Sequence, residues 1–524
     1  MDELFLGLDC STQGLTAIAI DFNAKKVTWK ESINFDADLK SYGTKNGVYV
    51  SNNGKKVFSN PLMWIDAVDY LFAKLKSKNF PFNKILALSG SAQQHGTVYV
   101  NEKFEKVLAS LNTNESMAEQ LNDAFSREIA PVWMDSSTTM ECSEIRKSLG
   151  GKKNAIKITG SDIFERFSAP QIKKFYIEEP SKYENTRTIH LVSSFLASIF
   201  IGKNAPIDHA DGSGMNLMNI KTRKWDARAV KATAPNLLEN LPPLCPSERI
   251  LGKINPYFVK KYGFSPNTLV IAWSGDNPNS LIGIGLVKER HAAMSLGTSD
   301  TYFNYMKKLF YDFKGEGHVF VAPTGDYMSL ICYKNGSLAR EIVKNKFNLS
   351  WQEFSEILNT TAPGNNGNIM LPYFFPEIVP FVPNPKVYRF GFDEDDMESN
   401  VRGIIEAQFL SMKLHSKWIK EKPIKIMATG GASCNEAILQ VAADIFQAII
   451  YKFEITNSAA LGASLRSAKS YYDQVKGTHA WSDYINKFMN EQDFSVIKPR
   501  KEFRKVYSKM LKKYEKFEKS VLYK

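Results

Sequence analysis

The sequence predicts an α/β protein built from two related domains, and three features of the chain carry that expectation. Strand-like and helix-like segments alternate along the first part of the chain, as they do when helices cover a sheet. A strand, a short turn rich in small and hydroxyl residues and a returning strand open the chain, and the same order recurs from residue 292. The length, 524 residues, is too great for one compact core and suits two large domains.

Residues 4–9 (LFLGLD) form the continuous apolar run of a strand buried on both faces. After the turn CSTQG, residues 15–21 alternate like the second arm of a hairpin. A helix is expected from Pro61 to Lys76, then a strand over 84–90 and the polar segment SAQQHG. In the second half, 292–296 reads as a strand, Gly297-Thr298-Ser299 as a turn and Asp300 to Tyr305 as the returning strand. A helix over Val401 to Lys420, a strand over Ile424 to Ala428 and a helix from about Asn435 to Ala448 complete the pattern. The expected boundary lies near Leu286 to Arg290, giving domains at 1–286 and 287–480 and a basic helical extension at 481–524.

Composition narrows the function. Apolar residues at 44% and charged residues at 23% are ordinary for a globular protein. The net charge of +12 comes from 67 basic and 55 acidic residues scattered among one another, which argues against nucleic acid as the partner. The C-terminal run KPRKEFRKVYSKMLKKYEKFEKS reads as a solvated amphipathic helix. Cys10, Cys142, Cys245, Cys332 and Cys434 are far apart and form no CxxC pair, so neither a disulfide framework nor a zinc site is indicated. The acidic N-terminus is no secretory signal, and the greasiest stretch, Leu191 to Ile201, is too short for a membrane span. A reducing, cytoplasmic location without membrane attachment is expected.

No P-loop, GxGxxG, HExxH or GxSxG pattern is present, which removes several enzyme classes. Two turns could hold phosphate: Asp9-Cys10-Ser11-Thr12-Gln13-Gly14 and Ser295-Leu296-Gly297-Thr298-Ser299-Asp300. Small residues let backbone N–H groups approach an anion, and Asp9 could orient Mg²⁺ through its waters. Either turn alone reads better as an ordinary hairpin turn, and two of them, each opening a domain, tip the balance toward phosphate. The loop Thr429-Gly430-Gly431-Ala432-Ser433-Cys434-Asn435 could seat a planar ligand at a helix start, or be a tight connection. In Trp273-Ser274-Gly275-Asp276-Asn277-Pro278, Asn277 is expected as the N-cap, projecting an ionised Asp276 that can take a proton from a hydroxyl. The alternative is a capping pair without chemistry. Gln94 and His95 offer amide and imidazole groups to a polyol, and Arg166 a guanidinium, beside the readings of a core histidine and a surface ion pair.

Taken in order, the strings GLDCSTQG, SAQQHG, IFERF, SGDNP, SLGTSDT and ATGGAS resemble the FGGY carbohydrate kinases, on their eukaryotic xylulose-phosphorylating branch. The resemblance runs from the first strand to about Leu465. It implies two ribonuclease-H/actin-like domains with an interdomain active-site cleft, and in-line transfer of phosphate from ATP to D-xylulose. Asp276 takes the role of general base, with Gln94, His95, Arg166 and Asn277 on the sugar. Ser11, Thr12, Gln13, Gly297, Thr298 and Ser299 fall on the phosphate turns, and Asp9 near Mg²⁺. Trp351, Gly430, Gly431, Ala432 and Asn435 fall on the nucleotide site. Trp133-Met134-Asp135-Ser136-Ser137 lacks the arginine of bacterial relatives, and Gln171–Phe175 blurs the family's lysine–tryptophan pair. MgATP and a small sugar are thus the expected partners of a monomer or dimer. Kinases of ribulose, glycerol or sedoheptulose, an actin-like ATP-driven scaffold and an inactive sugar sensor are the alternatives.

Overall fold

The computed structural model describes residues 3–452, 457–488 and 494–523. Contacts divide them into two units, and the strands form two seven-stranded sheets beside smaller ones. The first unit comprises residues 3–287, 320–327 and 457–488, and the second 288–319, 328–452 and 494–523. This division differs from three contiguous blocks broken at 286 and 480. The helix Ser458–Lys476 belongs with the first unit, and the basic C-terminal stretch is divided rather than set apart.

In the first sheet the strand order is Ile250–Lys253, Leu269–Ile271, Ile85–Ala92, Leu4–Cys10, Gly14–Asp21, Lys26–Asn34, with Ser274–Gly275 also pairing with Ile85–Ala92. Leu4–Cys10 runs antiparallel to Gly14–Asp21 and parallel to Ile85–Ala92. Its apolar run is explained by burial: Leu4, Phe5, Leu6 and Leu8 all lie in the interior. Helix Pro61–Ser77 starts where the Asn60 side chain accepts from Leu62 N and Pro61 takes the first helical position. It buries Met63, Trp64, Val68, Leu71 and Phe72. Helix Ser458–Lys476 lies directly on the central strand. A Cβ on Gly7 would stand 2.0 Å from the Ala460 carbonyl oxygen, so only glycine permits that approach.

The second sheet repeats the opening. His291–Leu296 is antiparallel to Asp300–Met306 and parallel to Lys425–Thr429. Its full order is His318–Val321, Tyr327–Tyr333, Asp300–Met306, His291–Leu296, Lys425–Thr429, Ile449–Lys452, Ser495–Ile497. The helix expected over 401–420 occupies Met397–His415. It begins earlier because the Asp396 side chain caps it by accepting from Ser399 N. It ends earlier because Ser416 to Ile419 close as tight i→i+3 turns ahead of Pro423.

Helix Arg504–Leu522 turns Tyr507, Met510, Tyr514 and Glu518 inward. Its lysines face outward, but the buried stripe makes it part of the second unit: Arg402 Nη2 donates to Tyr507 Oη at 3.0 Å. Among the described residues, no helix is long and apolar enough to cross a membrane. All five cysteines are free, and Cys10, Cys142 and Cys245 are buried.

Candidate active site

Three parallel strands of the first sheet finish level with one another, Asp9 being in register with Ser91, and Ser91 with Ser274. The chain leaving these carboxyl ends supplies Gln93 to His95 and Asp276, the position in an open α/β sheet where ligands bind.

Helix Asp276–Gly283 has Gly275, not Asn277, as its N-cap. Asn277 is the second helical residue, and Pro278 sits in the first turn, where a missing N–H leaves no intrahelical bond unmade. Gly275 takes the extended angles that a cap requires (φ −70°, ψ 161°). Asp276 Oδ1 accepts from Asn277 N at 2.8 Å and from Asn277 Nδ2 at 2.9 Å. Burial, and then the charge of Asp9, push the Asp276 carboxyl up to about 7. Asp276 is therefore not permanently ionised as expected, because desolvation and a like charge outweigh the backbone donors at the helix start.

Asn277 Nδ2 also donates to Gln94 Oε1 at 2.9 Å. His95 holds a left-handed backbone (φ 71°) and stacks on Phe167, with ring centres 4.2 Å apart. Its Nδ1 lies 2.8 Å from the Gly214 carbonyl oxygen. Because a carbonyl only accepts, Nδ1 carries the proton and Nε2 is the accepting end. Burial, and then Arg166, hold the imidazole down at about 3, so it is neutral at working pH. The Arg166 guanidinium lies 5.5 Å over Phe164 and 5.8 Å over Phe167, which brings it beside His95. Its neighbour Glu165 accepts from Thr139 Oγ1.

In the first turn, Ser11 N and Ser11 Oγ both donate to Gly14 O, at 3.0 and 3.2 Å, so this hydroxyl closes the turn rather than offering its proton outward. Thr12 Oγ1 accepts from Trp133 Nε1 at 2.8 Å, while Gln13 is exposed. Asp9 Oδ1 is buried without a hydrogen-bond partner. Burial raises the Asp9 carboxyl, and Ser91 partly offsets that. An unpartnered carboxylate oxygen fits a hydrated Mg²⁺. Among the described residues, no cluster of three or more His, Cys, Asp or Glu side chains could hold an ion directly.

The second unit contains a cavity of about 880 Å³ whose lining includes Gly297, Thr298, Trp351, Gly431, Ala432 and Asn435. Trp351 is 41% exposed, with Lys344 Nζ 5.8 Å over its ring. Asn435 caps helix Glu436–Phe446 by accepting from Ile438 N at 3.2 Å, and donates to Ser355 Oγ at 2.7 Å. Ser299 and Gly430 stand outside the lining. Gly430 has φ 87°, and a Cβ there would be 2.6 Å from Leu296 O, so it serves the backbone path. Gly431 has open space where a Cβ would project and leaves the wall bare.

Two residues escaped sequence reasoning. Asp211 is buried between Ser193, Asp208 and Gln94, yet in HADG it reads as a surface turn. Arg340 is fully buried on helix Ser337–Lys346, where a lone arginine reads as solvated. It donates to both Asp300 oxygens at 2.8 and 3.1 Å, while Ser337 N holds Gly297 O at 2.8 Å. Together these bonds fix the turn at 297–299.

Residues 4–283 match the N-terminal domain, and residues 292–471 the C-terminal domain, of the FGGY family of carbohydrate kinases. The chain is 42% identical over 499 residues to xylulose kinase 2 of Arabidopsis thaliana, with 91% of this chain and 89% of that one covered. It is 39% identical over 530 residues to the xylulose kinase of Mus musculus, covering 99% and 94%. The solved xylulose kinase of Rhodospirillum rubrum shares the fold, a pair of ribonuclease-H/actin-like domains, with a TM-score of 0.82, 15% identity and 99% of both chains covered. Both family domains are matched in their natural order along nearly the whole sequence, and so the chain belongs to the FGGY family of carbohydrate kinases.

Proposed function

We propose that this protein transfers the γ-phosphoryl group of ATP to the 5-hydroxyl of D-xylulose. The reading rests on the state of Asp276: one oxygen is held by two donors from Asn277, and the carboxyl is poised near 7. The held oxygen fixes the direction of the carboxyl, which takes the hydroxyl proton. A base of that strength is half-ionised at neutral pH, where a general base is most useful.

The sugar is read by His95 Nε2 and the Asn277 carbonyl as acceptors and by Arg166 as donor, a set suited to a chain of hydroxyls. ATP occupies the 880 Å³ cavity, its adenine beside Trp351 and its phosphates toward Gly297 and Thr298. The hydroxyl oxygen attacks the γ-phosphorus in line, the bond to ADP breaks, and the hydroxyl proton passes to Asp276. Mg²⁺, held through Asp9, supplies charge neutralisation on the phosphates when bound. Backbone N–H groups of the turns at 11–13 and 297–299, other than that of Ser11, which Gly14 O takes, are the donors for phosphate oxygens. The Arabidopsis and mouse relatives are xylulose kinases, which favours D-xylulose as the acceptor. Free thiols, three of them buried, suit a reducing compartment such as the cytosol.

The test is ADP release by purified protein with MgATP and a panel of D-xylulose, D-ribulose, glycerol and sedoheptulose. D-xylulose should give the highest kcat/KM. A clear preference for another acceptor would reassign the substrate, and turnover indifferent to every sugar would overturn the kinase reading.

A further inference from the structure

The amides beside Asp276 have two ends, a carbonyl that accepts and an NH₂ that donates, and nothing in an amide's shape decides which end faces which neighbour. Around Asp276 the choice is forced from a distance. Gln94 Nε2 points at Asp211 Oδ1, 3.4 Å away. Gln94 Oε1 therefore faces the other way and accepts from Asn277 Nδ2 at 2.9 Å. Asn277 Nδ2 in turn donates to Asp276 Oδ1 at 2.9 Å, and the Asn277 carbonyl is left for a substrate hydroxyl.

We infer that Asp211 is the positioning residue that sets the polarity of this chain, and through Gln94 and Asn277 aims the Asp276 carboxyl at the acceptor hydroxyl. The inference rests on the reading of Asp276 as the base. Asp211 is itself held at both ends: Ser193 Oγ lies 2.5 Å from its Oδ2, and its own N–H donates to Asp208 Oδ1 at 2.9 Å. Its surroundings are tight. A Cβ on Gly275 would stand 2.7 Å from Asp211 Oδ1 and 2.4 Å from Gln94 Cγ, so the strand-to-helix corner preceding Asp276 sits directly against both side chains. Asp211 is 1% exposed and Gln94 3%, so no bulk water competes for the Gln94 amide.

The polarity survives a change in protonation. Asp211 is faced by the Asp208 and Asp276 carboxyls and, at longer range, by the Arg466 guanidinium. Burial, and then Asp208, raise its carboxyl. A proton taken up lies on Oδ2, shared with Ser193 at 2.5 Å, which leaves Oδ1 an acceptor for Gln94 Nε2 in either state.

The test is a double-mutant cycle on sugar-dependent turnover, with Asp211→Asn, Asn277→Ala and the pair. An asparagine at 211 can face Gln94 with either end, so the polarity is lost while the volume is kept. We expect Asp211→Asn to lower kcat by ~10- to 100-fold, the range of a hydrogen bond to a charged group, with ATP KM unchanged. The pair should be scarcely worse than Asn277→Ala alone, since both remove one chain of bonds. Ser193→Ala, which loosens Asp211 without altering charge, should show the same non-additivity in smaller measure and takes its place if Asp211→Asn does not fold. Multiplying losses, or an equal rise in ATP KM, would make Asp211 a structural residue and overturn the inference. A wild-type protein without sugar-dependent ADP release would sink the reading of Asp276, and this inference with it.

Discussion

In the proposed reaction Asp276 concentrates the chemistry in one side chain, and its environment makes two opposed demands. A base must ionise, but its burial and the nearby Asp9 resist that and lift it to about 7. The consequence for rate is direct: kcat/KM for the sugar should rise with pH and level off above an inflection near 7, as the carboxylate forms. Asp276→Asn should lower kcat by ~10²- to 10⁴-fold and abolish that inflection, read from initial rates between about pH 5 and 9. The consequence for stability has the opposite sign. The folded carboxyl binds its proton more tightly than the unfolded one, so stability falls as pH rises from 3.8 through about 7. The asparagine variant should therefore melt higher than the wild type at pH 8 and alike at acid pH, a trade of stability for activity at one carboxyl. Much of this was legible from SGDNP, but the raised pKa was not. It depends on Asp9, more than 260 positions away in the chain, and on burial that no local spacing reveals.

At the scale of elements, local signals worked where a single residue decides the outcome. The helix expected from Pro61 is there as Pro61–Ser77, and the charge spacing of the C-terminal run marked its last helix, Arg504–Leu522. What the last helix packs against was hidden, because its buried face is polar as well as apolar. Glu518 reaches His415, which also bonds Glu316 at 2.8 Å. Burial alone would lower the His415 imidazole, yet the two glutamates carry it up to about 9. For a cation whose folded value is raised, the stabilisation is complete below 6.5 and is lost as pH rises through about 9. His415→Gln should thus lower Tm clearly at pH 6, and the gap to wild type should close by about pH 10. A constant gap would mean that packing, not charge, holds the helix. Gly7 was equally unreadable, since its partner Ala460 lies in the other half of the sequence. Gly7→Ala should cost about 1–3 kcal/mol of stability in urea melting, because a backbone carbonyl cannot step aside.

At the scale of the whole chain, the two units repeat a backbone and not a set of side chains. Each has a hairpin beside a parallel strand, LFLGLDC in one and HAAMSL in the other, so the repeat is faint in sequence and plain in pairing. The repeated turns have diverged in what stiffens them. Thr12 is tied to Trp133, whereas Gly297 is tied to Ser337 and Arg340. The supports of each turn lie within its own unit, so the second turn can be altered without touching the first. Arg340→Lys, which cannot bond both Asp300 oxygens in one plane, should raise ATP KM by ~10-fold and leave sugar KM within about twofold. His95→Ala should do the reverse, raising sugar KM and sparing ATP, because in the proposed reading Nε2 of the neutral imidazole accepts from the sugar. Varying each substrate at saturation of the other separates the two constants. If either variant raised both constants together, Arg340 would not act on the nucleotide alone nor His95 on the sugar alone, and those two assignments would fall.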